Sequence, residues 1–356
     1  MAWSTKIIGT GSYLPPNRVT NEDFLQHSFY KKTGEPITKN TEAIISKLVA
    51  ITEIEERRYA ADDEDNTTLA YHAAESAIKD AGIDRNTLDQ IIFAHNLGNV
   101  PFGDKHLDLI PNLAARLKNR LGITNENCVA YDLLFGCPGW VQGVIQGHMY
   151  FAGKGAKRIL VIGSDILSRA MDENDLDSML FSDGAGATVL ERQDNEESGI
   201  LSFKTISSCQ KDIDYIRNGQ RILNEEDDSI YCIKMNGRGV YRYGLEKVPA
   251  AIKACLDEAG YKISDVSKFL IHQANGKMIK QMLKKLFEME GLDSFPESVL
   301  PLSVQFTGNN SVATVPILLD LIRRDEQFKH EIKKGDIIVL ASVGSGMHAN
   351  CIVYKV

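Results

Sequence analysis

A partial internal repeat constrains the fold of this chain more than any other feature of the sequence. Residues 73–96 (AAESAIKDAGIDRNTLDQIIFAHN) resemble residues 250–275 (AAIKACLDEAGYKISDVSKFLIHQAN). Each segment predicts a helix, an Ala-Gly end, a short polar linker and an apolar strand. Gly82 and Gly260 stand where a left-handed residue commonly ends a helix. The chain is therefore predicted to contain the same helix–strand unit twice.

A second pair of similar segments lies further along each half. Residues 154–165 and 333–344 each lead from Lys-Gly into a run of Ile, Val and Leu, which is typical of a buried strand. Helix and strand patterns alternate in both halves, which predicts an α/β fold with largely parallel sheets. We expect two pseudo-symmetric halves, residues 1–195 and 196–356, joined within the acidic stretch 191–199.

The composition limits what the protein can be. With 43% hydrophobic residues in a chain of 356, a large core can form without disulfide bonds. The net charge of −8 argues against general nucleic-acid binding, which needs a basic surface. No run of about 18 apolar residues predicts a membrane span, and no apolar signal-peptide region is present. The six cysteines include no CxxC pair, so neither a zinc site nor a disulfide framework is expected, and we predict a cytoplasmic enzyme.

Residues 52–68 (TEIEERRYAADDEDNTT) form a highly charged segment. Charged side chains are rarely buried unless they are paired. We therefore predict an exposed, solvated loop over this range.

The first candidate for chemistry is Cys137. An apolar run leads into Gly136-Cys137-Pro138-Gly139, and a helical pattern follows. Cys137 is thus predicted at a strand-to-helix junction, at the positive end of the helix dipole, which lowers a thiol pKa and favours the nucleophilic thiolate. Backbone N–H groups at this point can also stabilise an oxyanion. A buried structural cysteine is the alternative, and it is the prediction for the other five cysteines.

The second and third candidates are a histidine and an amide. A predicted buried strand ends at His272, where α/β sheets gather ligands, although His95 holds the equivalent place in the first half. Residues 308–311 (GNNS) precede an apolar helix, where Asn and Ser also serve as ordinary helix caps. In the duplicated scheme, Asn309 heads the counterpart of the Cys137 helix. The three polar groups are expected to converge on one cleft.

At these residues the sequence resembles the β-ketoacyl-ACP synthase III family of the thiolase superfamily. The motifs are IHQAN at 271–275, GNNS at 308–311, FSDGAGATVL at 181–190 and the cysteine of FGCPGW, and the likeness covers nearly the whole chain. The resemblance implies a five-layered αβαβα thiolase fold, usually a homodimer. It also implies initiation of fatty-acid biosynthesis, with acyl-CoA or acyl-ACP and malonyl-ACP as substrates and with no metal or redox cofactor.

The family pattern implies a role for each matching residue. Cys137 is the acyl-accepting nucleophile, for which a thiolate suits thioester exchange. His272 and Asn309 bind the thioester carbonyl of malonyl-ACP and promote its decarboxylation, because an enolate needs fixed hydrogen-bond donors. The N–H groups of Cys137 and Gly344 form the oxyanion hole. Lys277 matches a basic residue that binds acyl carrier protein, although an ordinary solvated helix face is an equal alternative.

Departures from the family pattern concern the acyl donor. Members that use short acyl-CoA primers carry a tryptophan and an arginine that grip adenine, and Lys47 and Ile51 stand at those places. Glu53 replaces a glycine, and a loop that usually has three glycines contains Ser345. These changes favour, as an alternative, a specialised condensing enzyme for longer or unusual acyl groups, of the dialkylresorcinol or quinolone type.

Other catalytic classes fit less well. Papain-like hydrolases share the order Cys, His, Asn, but the residues around Cys137 lack the local CGSCW signature. A degradative thiolase needs a second cysteine within residues 341–348 (ASVGSGMH), and a hydroxymethylglutaryl-CoA synthase needs a glutamate where His95 and Asn96 stand. A non-catalytic partner subunit is disfavoured because all three catalytic residue types are present. We predict a decarboxylating condensing acyltransferase.

Overall fold

A computed structural model of the chain describes residues 3–103, 108–153, 155–194, 198–223, 231–324 and 328–356. The strands within these ranges are β1 (Ser4–Tyr13), β2 (Asn17–Thr20), β3 (Glu56–Tyr59), β4 (Gln90–His95), β5 (Val129–Leu134), β6 (Arg158–Asp165), β7 (Gly184–Gln193), β8 (Gly199–Ser207), β9 (Ile216–Gln220), β10 (Tyr231–Met235), β11 (Val266–Ile271), β12 (Ile337–Gly344) and β13 (His348–Lys355). The α-helices are α1 (Thr41–Thr52), α2 (Asn66–Ala81), α3 (Leu113–Arg120), α4 (Gly139–Ala152), α5 (Gly237–Ala259), α6 (Gly276–Met289), α7 (Val304–Thr307) and α8 (Thr314–Arg324).

Two main sheets repeat one strand order. The first sheet is β1-β7-β6-β4-β5, and the second, taken in the same sense, is β8-β13-β12-β11. Helix α2 leads to β4 as α5 leads to β11, and the two helices end at Gly82 and Gly260 with φ of 62° and 75°. The predicted internal repeat is therefore confirmed as two copies of one α/β unit.

Helices and sheets alternate in five layers. Helices α2 and α3 cover the outer face of the first sheet, and α5 and α6 cover the outer face of the second. Helices α4 and α8 lie between the sheets, where their apolar residues contact both inner faces. Along β4, Ile91 and Phe93 face the outer helices whereas Ile92 and Ala94 face the central ones, as the two-residue period of a strand requires. The predicted αβαβα thiolase architecture is confirmed.

The sheets are mixed rather than largely parallel, so that part of the prediction was wrong. Strand β4 runs parallel to β5 and β6, and β11 runs parallel to β12, but β7 and β13 run antiparallel to their neighbours. Strands β12 and β13 are joined by a turn of only residues 345–347. A turn this short can join antiparallel strands only, whereas a parallel pair needs a long crossover.

The charged segment 52–68 is not an exposed loop, and this prediction was wrong. It contains β3, which pairs with β2, and helix α2 already begins at Asn66. Arg57 is fully buried: its Nε donates to Met179 O at 2.6 Å and its Nη1 donates to Asn21 Oδ1 at 2.6 Å. These oxygens replace water around the guanidinium, and the sequence near Arg57 does not reveal them.

The passage from one sheet to the other falls within the predicted connector. Strand β7 ends at Gln193 and β8 begins at Gly199. The predicted boundary between residues 195 and 196 lies outside the described residues and stays a prediction. Within the described ranges, no helix combines the length and the apolar character that crossing a membrane requires.

Candidate active site

Cys137 lies between β5 and α4, as the sequence predicts. The side chain is partly exposed, and the sulfur accepts a hydrogen bond from the Ser311 hydroxyl at 3.3 Å. The backbone N–H groups of Cys137 and Ser345 lie near enough to this sulfur to lower the pKa of the thiol. The thiol therefore has donors from both halves of the chain around it.

The pKa of the Cys137 thiol is raised rather than lowered. Burial has the largest effect and raises this pKa to about 11, while the hydrogen bonds from Ser311 and from backbone N–H groups lower it. The nearby carboxylate of Asp165 raises the pKa further. The prediction that the helix dipole lowers this pKa was therefore wrong in direction. Desolvation of the thiolate raises the pKa by more than the dipole lowers it.

His272 directly follows β11 and is buried. Its backbone N–H donates to Ala341 O at 2.8 Å, and its Nδ1 lies 2.6 Å from the hydroxyl oxygen of Thr314. Within the described part of the chain, Nδ1 is the only hydrogen-bond partner of this buried hydroxyl, so the hydroxyl donates to Nδ1 and the ring proton resides on Nε2. Burial lowers the pKa of His272 to about 4. The ring is thus a neutral donor at physiological pH.

The FSDG and GNNS motifs meet at Asn309. Its backbone N–H donates to Leu180 O at 3.1 Å, and its carbonyl accepts from the N–H of Ser182 at 3.0 Å. Its side-chain Oδ1 accepts from the N–H of Ser311 at 2.9 Å. No hydrogen bond from the Nδ2 group to any described residue is present. Since Oδ1 is held, Nδ2 is the end of the amide left to bind a ligand.

One short segment, residues 309–314, connects the three predicted catalytic residues. Asn309 begins it, Ser311 contacts Cys137 near its middle, and Thr314 holds His272 at its end. Among the described contacts, the three predicted side chains make no hydrogen bonds to one another. Their connection is indirect, because each belongs to or contacts the segment 309–314.

Gly344 lies against Cys137, but the N–H beside the sulfur belongs to the next residue. A Cβ added to Gly344 would lie 2.7 Å from Cδ of Pro138 and 2.8 Å from the Cys137 nitrogen, so only glycine fits here. Besides that of Cys137 itself, the backbone N–H that lowers the pKa of the thiol is that of Ser345. The oxyanion hole formed by the N–H groups of Cys137 and Gly344 stays a prediction.

A cavity of about 330 Å³ adjoins the nucleophile at Gly136 and Ser345. At the edge of this cavity, the ring of Phe135 stacks on the ring of His348, with centroids 4.2 Å apart. Other apolar side chains that line the cavity are Leu97, Leu134, Ile216 and Ile233. Its volume corresponds to about ten liquid water molecules, which leaves room for an acyl chain.

The surface around helix α6 carries the predicted basic residue. Lys277 is exposed near the start of α6 and has no carboxylate within ion-pair distance among the described residues. Lys280 on the same helix binds both carboxylate oxygens of Glu53, at 2.7 and 2.8 Å. Lys47 and Ile51, which replace the adenine-gripping residues, are exposed on α1.

Sequence reasoning missed a polar network behind the thiol. The Asn96 side chain donates to Oδ2 of Asp165 at 2.6 Å and to Oγ of Ser311 at 2.7 Å. Asn96 directly follows β4, and Asp165 is the last residue of β6. Their position at neighbouring strand ends was the available signal.

Among the described side chains, no group of three or more His, Cys, Asp or Glu is arranged to hold a metal ion.

Comparisons with known proteins agree on one family. The sequence profile of 3-oxoacyl-[acyl-carrier-protein (ACP)] synthase III matches residues 131–209, and the profile of its C-terminal part matches residues 256–356. The β-ketoacyl-[acyl-carrier-protein] synthase III of Ruegeria pomeroyi is 32% identical over 361 residues, covering 100% of both chains. The enzyme of the same name from Neisseria meningitidis is 34% identical over 346 residues, covering 96% of each chain.

Solved structures give the same result. The crystal structure of 3-oxoacyl-[acyl-carrier-protein] synthase III from Aquifex aeolicus matches with a TM-score of 0.80 at 26% identity, covering 99% of this chain and 100% of that one. The synthase III from Thermus thermophilus matches with a TM-score of 0.79 at 28% identity, covering 98% of each chain.

The protonation state of His272 can be tested directly. We expect its imidazole to stay neutral, with the proton on Nε2, as the pH falls from 8 to 5, because burial lowers its pKa to about 4. Nitrogen-15 NMR of the histidine rings would show this, with the His272→Gln variant identifying the signal. In the urea-unfolded protein the same ring should titrate near its ordinary value of about 6.5. A folded-state midpoint near 6.5 would contradict the assignment.

The same shift has a consequence for stability. The folded-state pKa of His272 lies below the unfolded value, so its contribution to stability is complete above about pH 6.5 and is lost as the pH falls toward 4.

Proposed function

Because the chain belongs to the β-ketoacyl-[acyl-carrier-protein] synthase III family, we propose that it condenses an acyl thioester with malonyl-ACP in the initiation of fatty-acid biosynthesis. The observation that carries the proposal is the segment 309–314, which links a thiol, a neutral histidine and a free amide end. The reaction is an acyl transfer followed by a decarboxylative Claisen condensation. We also propose that the enzyme acts in the cytoplasm and needs no metal or redox cofactor.

The first half-reaction loads Cys137. Its sulfur attacks the acyl carbonyl, and the donor thiol leaves. Negative charge develops on the carbonyl oxygen, where the N–H groups of Cys137 and Gly344, the predicted oxyanion hole, donate hydrogen bonds. The backbone is already fixed there by the close packing of Gly344 on Cys137, so little reorganisation is needed.

The second half-reaction uses the other two residues. Nε2–H of His272 and Nδ2 of Asn309 donate to the thioester carbonyl of malonyl-ACP, where charge builds as carbon dioxide leaves. The resulting carbanion attacks the acyl group on Cys137 and releases a β-ketoacyl product. A neutral His272 suits this role because it donates a proton in a hydrogen bond without needing to lose one.

The acyl donor is the least constrained substrate. Lys47 and Ile51 offer no aromatic or guanidinium surface to adenine, and the cavity beside Gly136 exceeds the size of an acetyl group. These observations favour the alternative in which a longer or unusual acyl group, delivered on a carrier, is condensed in a specialised pathway. Mass spectrometry after incubation with acyl-CoA and acyl-carrier thioesters of graded length distinguishes the two.

The division of labour between the residues gives a first prediction. Cys137→Ala should abolish the acyl adduct seen by intact-protein mass spectrometry. His272→Ala and Asn309→Ala should acylate at the wild-type rate but lose about 100-fold or more in product formation, the effect of removing one charge-stabilising donor. His330→Ala, at a histidine remote from the site, serves as the control. Condensation by His272→Ala at the wild-type rate would refute the assigned role.

A second prediction concerns carrier-protein binding by the exposed Lys277. A basic helix face attracts an acidic partner and speeds its association. Lys277→Glu should raise the KM for malonyl-ACP about tenfold and weaken its salt dependence. Acylation by a small thioester without a carrier should be unchanged. Lys285→Glu, toward the other end of α6, is the matched control. An equal effect of both variants would contradict a specific role of Lys277 and would indicate a general effect of charge.

A third prediction concerns a homodimer. Strand β5 is an edge strand of the first sheet, and Val129 and Leu134 on it are 53% and 68% exposed. Ile110, in the loop before α3, is 89% exposed. A long apolar edge is covered in most native proteins, and we propose that β5 of a second copy covers it.

Light scattering after size-exclusion chromatography tests the homodimer. The wild type should be dimeric, and the double variant Val129→Lys with Leu134→Lys should be monomeric. Leu292→Lys, an exposed leucine elsewhere, should leave the dimer intact. A monomeric wild type at micromolar concentration would exclude the dimer.

A further inference from the structure

Asp165 is a buried carboxylate in the candidate site that the reaction as proposed does not use. It accepts hydrogen bonds from the backbone N–H of Asn96 at 2.8 Å and from its Nδ2 at 2.6 Å. Among the described residues, no lysine or arginine forms an ion pair with it. Burying an unpaired carboxylate costs free energy, so its presence behind the nucleophile calls for an explanation.

Ser311 stands between this carboxylate and the thiol. Its hydroxyl lies 3.3 Å from Sγ of Cys137 and accepts a hydrogen bond from Nδ2 of Asn96 at 2.7 Å. It is also close enough to Asp165 to lower the pKa of that carboxyl, and Nδ2 of Asn96 contacts both groups. A hydroxyl has one proton to donate and two lone pairs. When the Ser311 proton turns from the sulfur to the carboxylate, Oγ can take a proton from the thiol while giving its own to Asp165. Ser311 also has φ of 51°, a left-handed conformation that is uncommon outside glycine. Such backbone strain persists where the surrounding structure holds a functional group in place.

We propose that Ser311 and Asp165 relay the proton of Cys137 during acylation, with Asn96 as the positioning residue. The inference rests on the proposed function. As the Cys137 sulfur bonds to the acyl carbon, its proton passes to Oγ of Ser311 and the Ser311 proton passes to Asp165. When the bond from the acyl carbon to the donor sulfur breaks, Asp165 returns the proton through Ser311 to that sulfur. One thioester and one thiol are consumed, and one thioester and one thiol are formed.

The thiol of Cys137 needs a base that removes its proton, and the relay supplies one. Because burial raises the pKa of Cys137 to about 11, little thiolate exists at neutral pH without a base. His95, which faces Asp165 from the end of β4, accepts from the N–H of Gly98 at Nδ1 and hydrogen bonds to Asp132 at Nε2, so neither ring nitrogen is left to contact the sulfur. Thr314 occupies Nδ1 of His272, and Nε2 carries the ring proton. Of these titratable groups, Asp165 is the base connected to the sulfur.

The test uses iodoacetamide, which alkylates Cys137 without any acyl donor. Asp165→Asn should slow alkylation at pH 7 by about 100-fold, a usual size for general-base assistance, and the remaining rate should rise tenfold per pH unit. A carboxylate that acts only through its charge predicts the opposite sign, because removing it would lower the thiol pKa and speed alkylation. Faster or unchanged alkylation in Asp165→Asn would overturn the relay.

Two further variants keep the test decisive. Ser311→Gly suits the left-handed backbone but lacks the hydroxyl, and it should be as slow as Asp165→Asn. Asp320→Asn removes a buried carboxylate that binds Thr10 and Ser12 instead, and it should alkylate like the wild type. If alkylation behaves as expected while no acyl thioester loads the wild type, the relay stands and the proposed function fails.

Discussion

The close contact between β6 and the turn before α8 is the constraint on which the site depends. A Cβ added to Gly163 would lie 2.6 Å from Val312 O, and one added to Gly139 would lie 3.1 Å from Cγ2 of Val312. Both glycines belong to the first half of the chain, and Val312 belongs to the second. Because no side chain separates them, the turn reaches the first sheet and places Ser311 on the sulfur of Cys137. The two halves therefore build one site rather than two.

The fold could be predicted from the sequence because its signals are local and occur twice. The helix end at Gly82 recurs at Gly260, and the buried strand before Asp165 recurs before Gly344, so each element supports the interpretation of its counterpart. The positions of Cys137, His272 and Asn309 at strand and helix ends follow from the same local patterns. The mixed direction of the sheets does not, since it depends on the path of the connections rather than on strand composition.

The remaining features depend on contacts between residues distant in sequence. Burial of Arg57 needs oxygens of Asn21 and Met179, which its own neighbourhood does not reveal. The effect of Ser345 on the pKa of Cys137 depends on how a three-residue turn meets Cys137.

Burial favours the reactive form of His272 but disfavours the reactive form of Cys137. Desolvation disfavours the charged form of any group, so it lowers the pKa of His272 and raises that of Cys137. A neutral histidine is the form that donates to a developing enolate, and burial supplies it without further help. A neutral thiol is the wrong form for nucleophilic attack. A site that is dry enough for the second half-reaction therefore needs a base for the first, and the only carboxylate that the described contacts connect to the sulfur is Asp165, through Ser311.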